Sequence, residues 1–269
     1  MTLKIAINGF GRIGRGVLRA LLERQADGID GHSIEVVAIN DLAAPESMAH
    51  LLKYDSIHGR FKQKVTVRDT CLEVGGHSIR LTALRDPEML PWNDVDVTLE
   101  CTGLFTARAD AARHLPNGTK HVLISAPGTD ADKTVVYGVN HMVLGPDDTV
   151  VSNASCTTNC LAPLAMVLDA TFGIATGYMT TVHSFTGDQP SHDSNHRDLY
   201  RARAASVSMI PTSTGAARAI SLVLPNLEGK LEGSAIRVPT PNVSLVDLSF
   251  MPEKPATREA VNQAIRKAS

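Results

Sequence analysis

The sequence carries almost no excess charge: 26 Lys and Arg stand against 28 Asp and Glu, a formal net charge of −2. Without a basic field, neither nucleic acid nor an anionic membrane surface is implied as the main partner, and any anion site has to be local. Long hydrophobic runs are missing too, since none approaches the ~20 apolar residues that a membrane-spanning helix needs. The opening Met-Thr-Leu-Lys-Ile-Ala-Ile-Asn-Gly runs straight into a strand pattern, so it does not read as a secretory signal. Cysteine is sparse, with four in 269 residues. That is no disulfide framework; it fits a reducing compartment, and the cytoplasm is the expectation. What is plentiful is apolar: 43% hydrophobic residues, enough for a sizeable core in a chain long for one domain and comfortable for two.

Leu3 to Asn8 reads as a short apolar strand, followed by Gly9-Phe10-Gly11-Arg12-Ile13-Gly14 and a helix with apolar residues at Ile13, Val17, Leu18, Leu21 and Leu22. In a strand, turn and helix of this kind the first glycine permits the tight turn. The second lets backbone approach a pyrophosphate, and the third seats the helix against the strand. A second strand, Ile34 to Ile39, ends in Asn40-Asp41, where a carboxylate can accept hydrogen bonds from an adenosine ribose and so favour NAD over NADP. The plainer reading of Asp41 is a cap for the next helix. Asp41 lies later than the usual spacing, and a polar insertion from Asp27 to Ser33 accounts for the delay.

Further strands are expected at Val65 to Arg68, Cys71 to Val74 and Ser78 to Leu84, the last two around a Gly75-Gly76 hairpin turn. Val95 to Glu100 then leads into Cys101-Thr102-Gly103-Leu104-Phe105, a helix through Leu115 and a strand from His121 to Ser125. Such alternation argues for a mainly parallel sheet covered on both faces. Ligands then belong at the strand C-termini, where Gly9, Asp41, Thr102 and Ser125 fall.

Past a strand from Thr149 to Ser152, Asn-Ala-Ser-Cys-Thr-Thr-Asn-Cys opens a helical pattern that runs to Phe172, with Pro163 tolerated near its beginning. Cys156 stands on that boundary and on the same rim. A thiol at a helix N-terminus meets unpaired N–H groups and the positive end of the helix dipole, which favour the thiolate. A buried small hydrophobe is the plainer reading, but Ser155, Thr157, Thr158 and Asn159 crowd hydrogen-bonding groups around the sulfur that core packing does not require. Cys160, one turn on, could form a metal pair with Cys156, yet the spacing is not the usual two-residue gap and no second pair exists, so no metal is expected.

Gly177 to Phe185 alternates as a strand with one polar-lined face that carries His183, a candidate general base and acid for the thiol. Gly187 to Ser208 is polar, holds Arg197, Arg201 and Arg203, and shows little periodicity. An ordered loop of that length needs a cover, such as an oligomer contact. Thr212-Ser213-Thr214-Gly215 then opens a helix, either as an anion site or as an ordinary cap. Leu231 to Pro239, with Arg237 inside it, and Val243 to Met251 read as an antiparallel pair joined by Pro-Thr-Pro-Asn, and the arginine asks for a partner such as a phosphate. Thr257 to Ala268 begins a last amphipathic helix.

In combination, Ile-Asn-Gly-Phe-Gly-Arg-Ile-Gly-Arg, Ser-Asn-Ala-Ser-Cys-Thr-Thr-Asn-Cys, His-Ser-Phe-Thr and Arg-Val-Pro-Thr-Pro-Asn-Val-Ser closely resemble the phosphorylating glyceraldehyde-3-phosphate dehydrogenase family, over essentially the whole chain. The resemblance implies an α/β protein: a Rossmann-type doubly wound parallel sheet over residues 1–155, then an α+β catalytic domain with a mixed or antiparallel sheet over 156–269. It implies NAD as cofactor and conversion of D-glyceraldehyde 3-phosphate and inorganic phosphate to 1,3-bisphosphoglycerate. Cys156 would carry a hemithioacetal and then a thioester, His183 would move the protons, and the Cys156 N–H would help hold the oxyanion.

By the same resemblance the cofactor pocket takes Gly9, Phe10, Gly11, Arg12, Ile13, Gly14, Asp41, Arg85, Thr102, Phe105 and Ser125, with Phe105 against the adenine. Thr186 and Arg237 match the substrate's phosphate site, and Ser155, Thr157, Thr214 and Gly215 match the inorganic-phosphate site, with Arg201 near both. A cytoplasmic homotetramer without metal, nucleic acid or membrane is implied. Erythrose-4-phosphate dehydrogenases share the cysteine block but typically lack the threonine of His-Ser-Phe-Thr and the Ser-Thr-Gly-Ala-Ala run. Both are present here, which favours the three-carbon aldehyde. Family members are longer, and the resemblance places Ser269 inside the substrate domain, ahead of further strands, a near-terminal asparagine at the nicotinamide and a last helix. A chain that binds NAD without turning over is the alternative this raises, with exposed sheet edges as its mark.

Overall fold

The computed structural model describes residues 2–28 and 33–269, so most of the polar insertion read between Asp27 and Ser33 lies outside the described residues. The chain divides into two compact units, Met1–Thr134 with Leu144–Asn153, and Val135–Val143 with Ala154–Ser269. Val135–Val143 thus belongs with the second unit, because Val136 is packed into one core with Ala154 and Leu161. Among the described residues no helix is long and apolar enough to cross a membrane.

In the first unit the strands are β1 (Leu3–Asn8), β2 (Ile34–Asn40), β3 (Tyr54–Asp55), β4 (Gly59–Arg60), β5 (Val65–Arg68), β6 (Cys71–Val74), β7 (His77–Thr82), β8 (Val97–Glu100), β9 (His121–Ile124), β10 (Lys133–Thr134) and β11 (Val150–Ser152). The helices are α1 (Arg12–Ala26), α2 (Pro45–Lys53) and α3 (Arg108–Ala111), the last running on as a 3-10 helix over Ala112–Asn117. Among the described residues, nine strands form one sheet in the order β10-β11-β9-β8-β1-β2-β7-β6-β5. It is parallel from β10 to β7, and β6 and β5 are added antiparallel. The order departs from β1 in both directions, which is the doubly wound arrangement with a switch point between β1 and β8.

Residues alternate between the two faces of this sheet. Ile5 and Ile7 of β1 pack with Leu18, Leu22, Ile39 and Ile79, while Ala6 and Ala38 face Trp92 and Val95 on the other side. In α1 the buried positions are Gly14, Leu18, Arg19 and Leu22. Ile13, assigned above to the apolar face, is 53% exposed and stands outside that buried set. Gly75 and Gly76, both at positive φ, close the β6–β7 hairpin as expected.

The second unit contains α4 (Cys156–Phe172), β12 (Ile174–Ser184), β13 (Ile210–Thr212), α5 (Ala216–Ala219), β14 (Leu231–Val238), β15 (Leu245–Pro252) and α6 (Arg258–Ala268). Its sheet runs β13-β14-β12-β15 among the described residues. β14 and β15 are therefore not a hairpin, contrary to the sequence reading. β12 lies between them, parallel to β14 and antiparallel to β15. The connection over 239–244, with Val243 at φ 70°, carries the chain past the end of β12, where the Ser184 N–H donates to Ser244 Oγ at 3.2 Å.

The His183 face of β12 also differs from its description as polar-lined. Met179, Thr181 and His183 are the buried side, and Met179 shares a core with Leu161, Ala165, Leu168 and Phe172 of α4. The opposite side carries the exposed Tyr178. The helix expected after Thr214-Gly215 is one turn long, α5, before a 3-10 turn over Ile220–Leu222.

Candidate active site

Cys156 is the first residue of α4, whose N-cap is Ser155. The Thr158 N–H donates to Ser155 Oγ at 3.0 Å, and Ser155 Oγ and Thr158 Oγ1 are 2.7 Å apart. The hydroxyl assigned to inorganic phosphate is thus engaged in capping the helix. Cys156 Sγ lies 3.2 Å from His183 Nε2, and His183 Nδ1 is 2.7 Å from the Ser184 carbonyl. A carbonyl can only accept, so Nδ1 carries the proton and Nε2 is left to take one from the thiol.

The electrostatics follow this geometry. The bond to His183 holds the Cys156 thiol below its ordinary value, against the opposing pull of burial and with help from Thr157. The same bond holds His183 above its ordinary value, again against burial, while Ser184 adds to the rise and the Arg237 charge detracts from it. Cys160 is a free, exposed thiol one turn along, and no cluster of metal-ligating side chains exists among the described residues.

Pairing of β12 with β14 sets His183 opposite Arg237. Arg237 donates to the Ser184 carbonyl at 3.1 Å and to Thr186 Oγ1 at 3.0 Å, so one carbonyl orients both the imidazole and the guanidinium. Thr186 in turn bonds Asp188, whose other carboxylate oxygen accepts from Arg201 at 3.1 Å. Burial pushes the Asp188 carboxyl up, but Thr186 and the Arg237 and Arg201 charges outweigh it and hold the group below the usual carboxylate range. Arg201 also donates to Thr212 Oγ1 at 3.1 Å and to the Ser213 carbonyl at 3.4 Å, which ties it to the turn where Thr214 Oγ1 accepts the Ala216 N–H and Gly215 precedes α5.

Cys156, Thr157, His183, Thr186, Arg201 and Arg237 are therefore joined in one network. Asp188 and the Ser184 carbonyl are the members that the sequence reading did not name. A carboxylate two residues after Thr186 was visible, but the spacing does not say which arginine it meets.

In the first unit, a cleft of about 300 Å³ lies over the ends of β1, β2 and β8. Gly9, Gly11, Asp41, Arg85, Thr102 and Phe105 line it, together with Asn8, Asn40 and Leu84. Gly9 stands at φ 91°, and a Cβ there would fall 2.7 Å from the Thr102 nitrogen; one on Gly14 would fall 2.3 Å from the Gly9 oxygen. Those two glycines answer to the chain itself. A Cβ on Gly11 would meet no protein atom within 4 Å, so the bare backbone there is open to a ligand, as a pyrophosphate would need.

Asp41 accepts from the Phe10 N–H at 2.6 Å and from the Ala43 N–H at 2.9 Å, which fixes the carboxylate at the cleft with lone pairs to spare. It does not cap α2, whose N-cap is Ala44. These residues fit a dinucleotide with an unphosphorylated ribose.

Five residues of the expected pocket do not line the cleft: Gly14, which lies against the Gly9 carbonyl, Ile13, which is exposed, and Phe10, Arg12 and Ser125. The Phe10 side chain is buried in the core with Leu18 and Ile39, so only its backbone serves the turn. Arg12 is turned toward Asp55 at 3.3 Å. Ser125, half-buried, does not line the cleft; its hydroxyl bonds the Cys101 thiol, which burial pushes up to about 11 and so leaves unreactive. Read in the sequence only as strand ends, and not as site residues, are Asn8, Asn40 and Glu100, the buried polar residues that close three apolar strands. Their signal was a side chain with hydrogen bonds to satisfy at the last position of a buried strand.

Residues 3–108 match the family model "Glyceraldehyde 3-phosphate dehydrogenase, NAD binding domain", and residues 155–269 match "Glyceraldehyde 3-phosphate dehydrogenase, C-terminal domain". The chain is 60% identical over 269 residues to the glyceraldehyde-3-phosphate dehydrogenase of Cereibacter sphaeroides, an alignment that spans 100% of this chain and 79% of the relative. The enzyme of that name from Xanthobacter flavus is 57% identical over 271 residues, spanning 100% and 79%, and that from Pseudomonas aeruginosa 55% over 274 residues, spanning 100% and 80%. With two domain models matched in tandem and such relatives aligned along its full length, the chain belongs to the glyceraldehyde-3-phosphate dehydrogenase family.

Proposed function

We propose that this protein oxidises D-glyceraldehyde 3-phosphate to 1,3-bisphosphoglycerate, using NAD⁺ and inorganic phosphate. The observation that carries the reading is the 3.2 Å contact between a helix-end thiol and an imidazole of fixed tautomer. His183 Nε2 takes the thiol proton, and the Cys156 sulfur adds to the aldehyde carbon. The carbonyl electrons move to oxygen, which the Cys156 N–H at the start of α4 stabilises. His183 protonates that oxygen, then takes the proton back as the carbonyl reforms.

The dinucleotide, when bound at the glycine turn, supplies the acceptor for the departing hydride. A phosphate oxygen then attacks the thioester, the carbon–sulfur bond breaks and Cys156 leaves as thiolate. Covalent capture divides one difficult oxidation into easier steps. Arg237 and Thr186 hold the substrate's phosphate, and Arg201 supports the incoming one.

Purified chain supplied with aldehyde, NAD⁺ and phosphate should form NADH. Cys156→Ser should abolish this, and His183→Asn should lower kcat by roughly 10²- to 10⁴-fold. NADH formation that survives Cys156→Ser would refute the mechanism. Erythrose 4-phosphate, offered in parallel, should give the lower kcat/KM. We place the enzyme in the cytoplasm, which the four free cysteines support. We assign it a homotetramer, supported by the exposed apolar side chains of Leu199, Tyr200, Val207 and Met209.

A further inference from the structure

Beneath the cleft lies a buried polar chain that the reaction does not use. Glu100 is 1% exposed and His114 is wholly buried. One carboxylate oxygen of Glu100 accepts from the Asn8 amide at 2.6 Å and from His114 Nε2 at 3.0 Å. The other accepts from the Thr102 N–H at 2.8 Å and from the Thr102 hydroxyl. A carboxylate offers about four acceptor sites, so Glu100 is fully engaged. Asn8 accepts in turn from the Asn40 amide at 2.8 Å, and Asn40 accepts from the Leu84 N–H and the Thr82 hydroxyl, each at 2.9 Å.

Register explains the continuity. Asn8 lies opposite both Asn40 and Glu100, and Asn40 lies opposite Thr82. One ladder of side chains therefore ties the C-terminal ends of β8, β1, β2 and β7, and Asn8, Asn40, Leu84 and Thr102 present its upper surface to the cleft. Burying so many polar groups is costly unless each is matched, and apolar residues would close these strands more cheaply. What the ladder delivers is placement. Gly9 packs against the Thr102 backbone, so the two bonds from Thr102 to Glu100 and the one from Asn8 determine where the turn stands over the cleft. His114 holds the carboxylate from behind, its ring parallel to Trp92 with centroids 5.7 Å apart.

We infer that Glu100, oriented by His114, is a positioning residue for the dinucleotide: from below the cleft floor it sets the Thr102 rim and the Gly9 turn at the separation that NAD requires. The inference rests on the cleft being the NAD site, and the test keeps the two apart.

In the full-length chain, Glu100→Gln places an NH₂ group where donors already point. NAD⁺ titrated by calorimetry should show a Kd raised roughly tenfold. KM for NAD⁺ should rise with it, while alkylation of Cys156 by iodoacetamide without nucleotide stays at the wild-type rate. His114→Phe keeps the stack and removes the donor, so it should shift Kd the same way by a smaller factor. Trp92 is the sole tryptophan, and its emission, unchanged in position, certifies that the surrounding core is intact.

Asp41→Asn is the control for the site, and unchanged NAD⁺ affinity there would remove the reading and the inference together. If Asp41→Asn weakens binding while folded Glu100→Gln binds NAD⁺ as the wild type does, the inference alone is overturned. It is overturned as well if neither Glu100→Gln nor His114→Phe folds, since the ladder would then serve the fold and nothing more.

Discussion

Cys156 and His183 each alter the other's titration through a single bond, and the signs are opposite. The thiol is held low, so thiolate is lost only as pH falls through that depressed value; the imidazole is held high, so its proton is lost only as pH rises past the elevated one. The thiolate therefore persists to lower pH than in an isolated cysteine, and the midpoint of Cys156 alkylation by iodoacetamide should lie below that of a free thiol. In His183→Asn the bond is gone and the thiol returns toward its ordinary range. Alkylation at neutral pH should slow by roughly tenfold or more, with its midpoint moved upward; an unmoved midpoint would contradict the pairing. Both residues were legible in the sequence, because a cysteine among hydroxyls at a helix start has few other uses. Asp188 was not, since a carboxylate in an aperiodic loop shows its guanidinium partner only after folding.

The N-terminus of α4 separates two roles for Ser155. Its oxygen accepts the Thr158 N–H, so Ser155→Ala should cost about 1 kcal/mol of stability, read as a fall of a few degrees in Tm, with little change in the KM for phosphate. A large rise in that KM at unchanged Tm would return the hydroxyl to the phosphate site. Helices and strands of the first unit could be read from the chain because apolar runs there end abruptly in Gly, Asn or Asp, which mark strand ends without any knowledge of neighbours. The β14–β15 pairing could not. Pro-Thr-Pro-Asn says that the chain reverses, whereas β12, bonded along both edges, decides who lies beside whom. The His183 face was misjudged for a related reason: a threonine and a histidine look polar in sequence, yet Met179, Thr181 and His183 are all buried, with Met179 packed against α4.

For the molecule as a whole, the segment between β12 and β13 leaves Leu199, Tyr200, Val207 and Met209 exposed, apolar side chains that a contact between copies would cover. Native mass spectrometry should give four times the chain mass, and Leu199→Asp should shift the distribution to smaller species; a monomer at micromolar concentration would refute the assignment. The division into units has a further outcome for anyone who would take them apart. Because Val135–Val143 is claimed by the unit whose remainder begins at Ala154, the polypeptide passes from one unit to the other three times, and no single scission releases either intact. A chimera that borrows its nucleotide-binding half from a relative by one splice near Ser155 would import a foreign Val136 into the packing around Leu161. Such hybrids need that short stretch restored from the recipient before they can be judged.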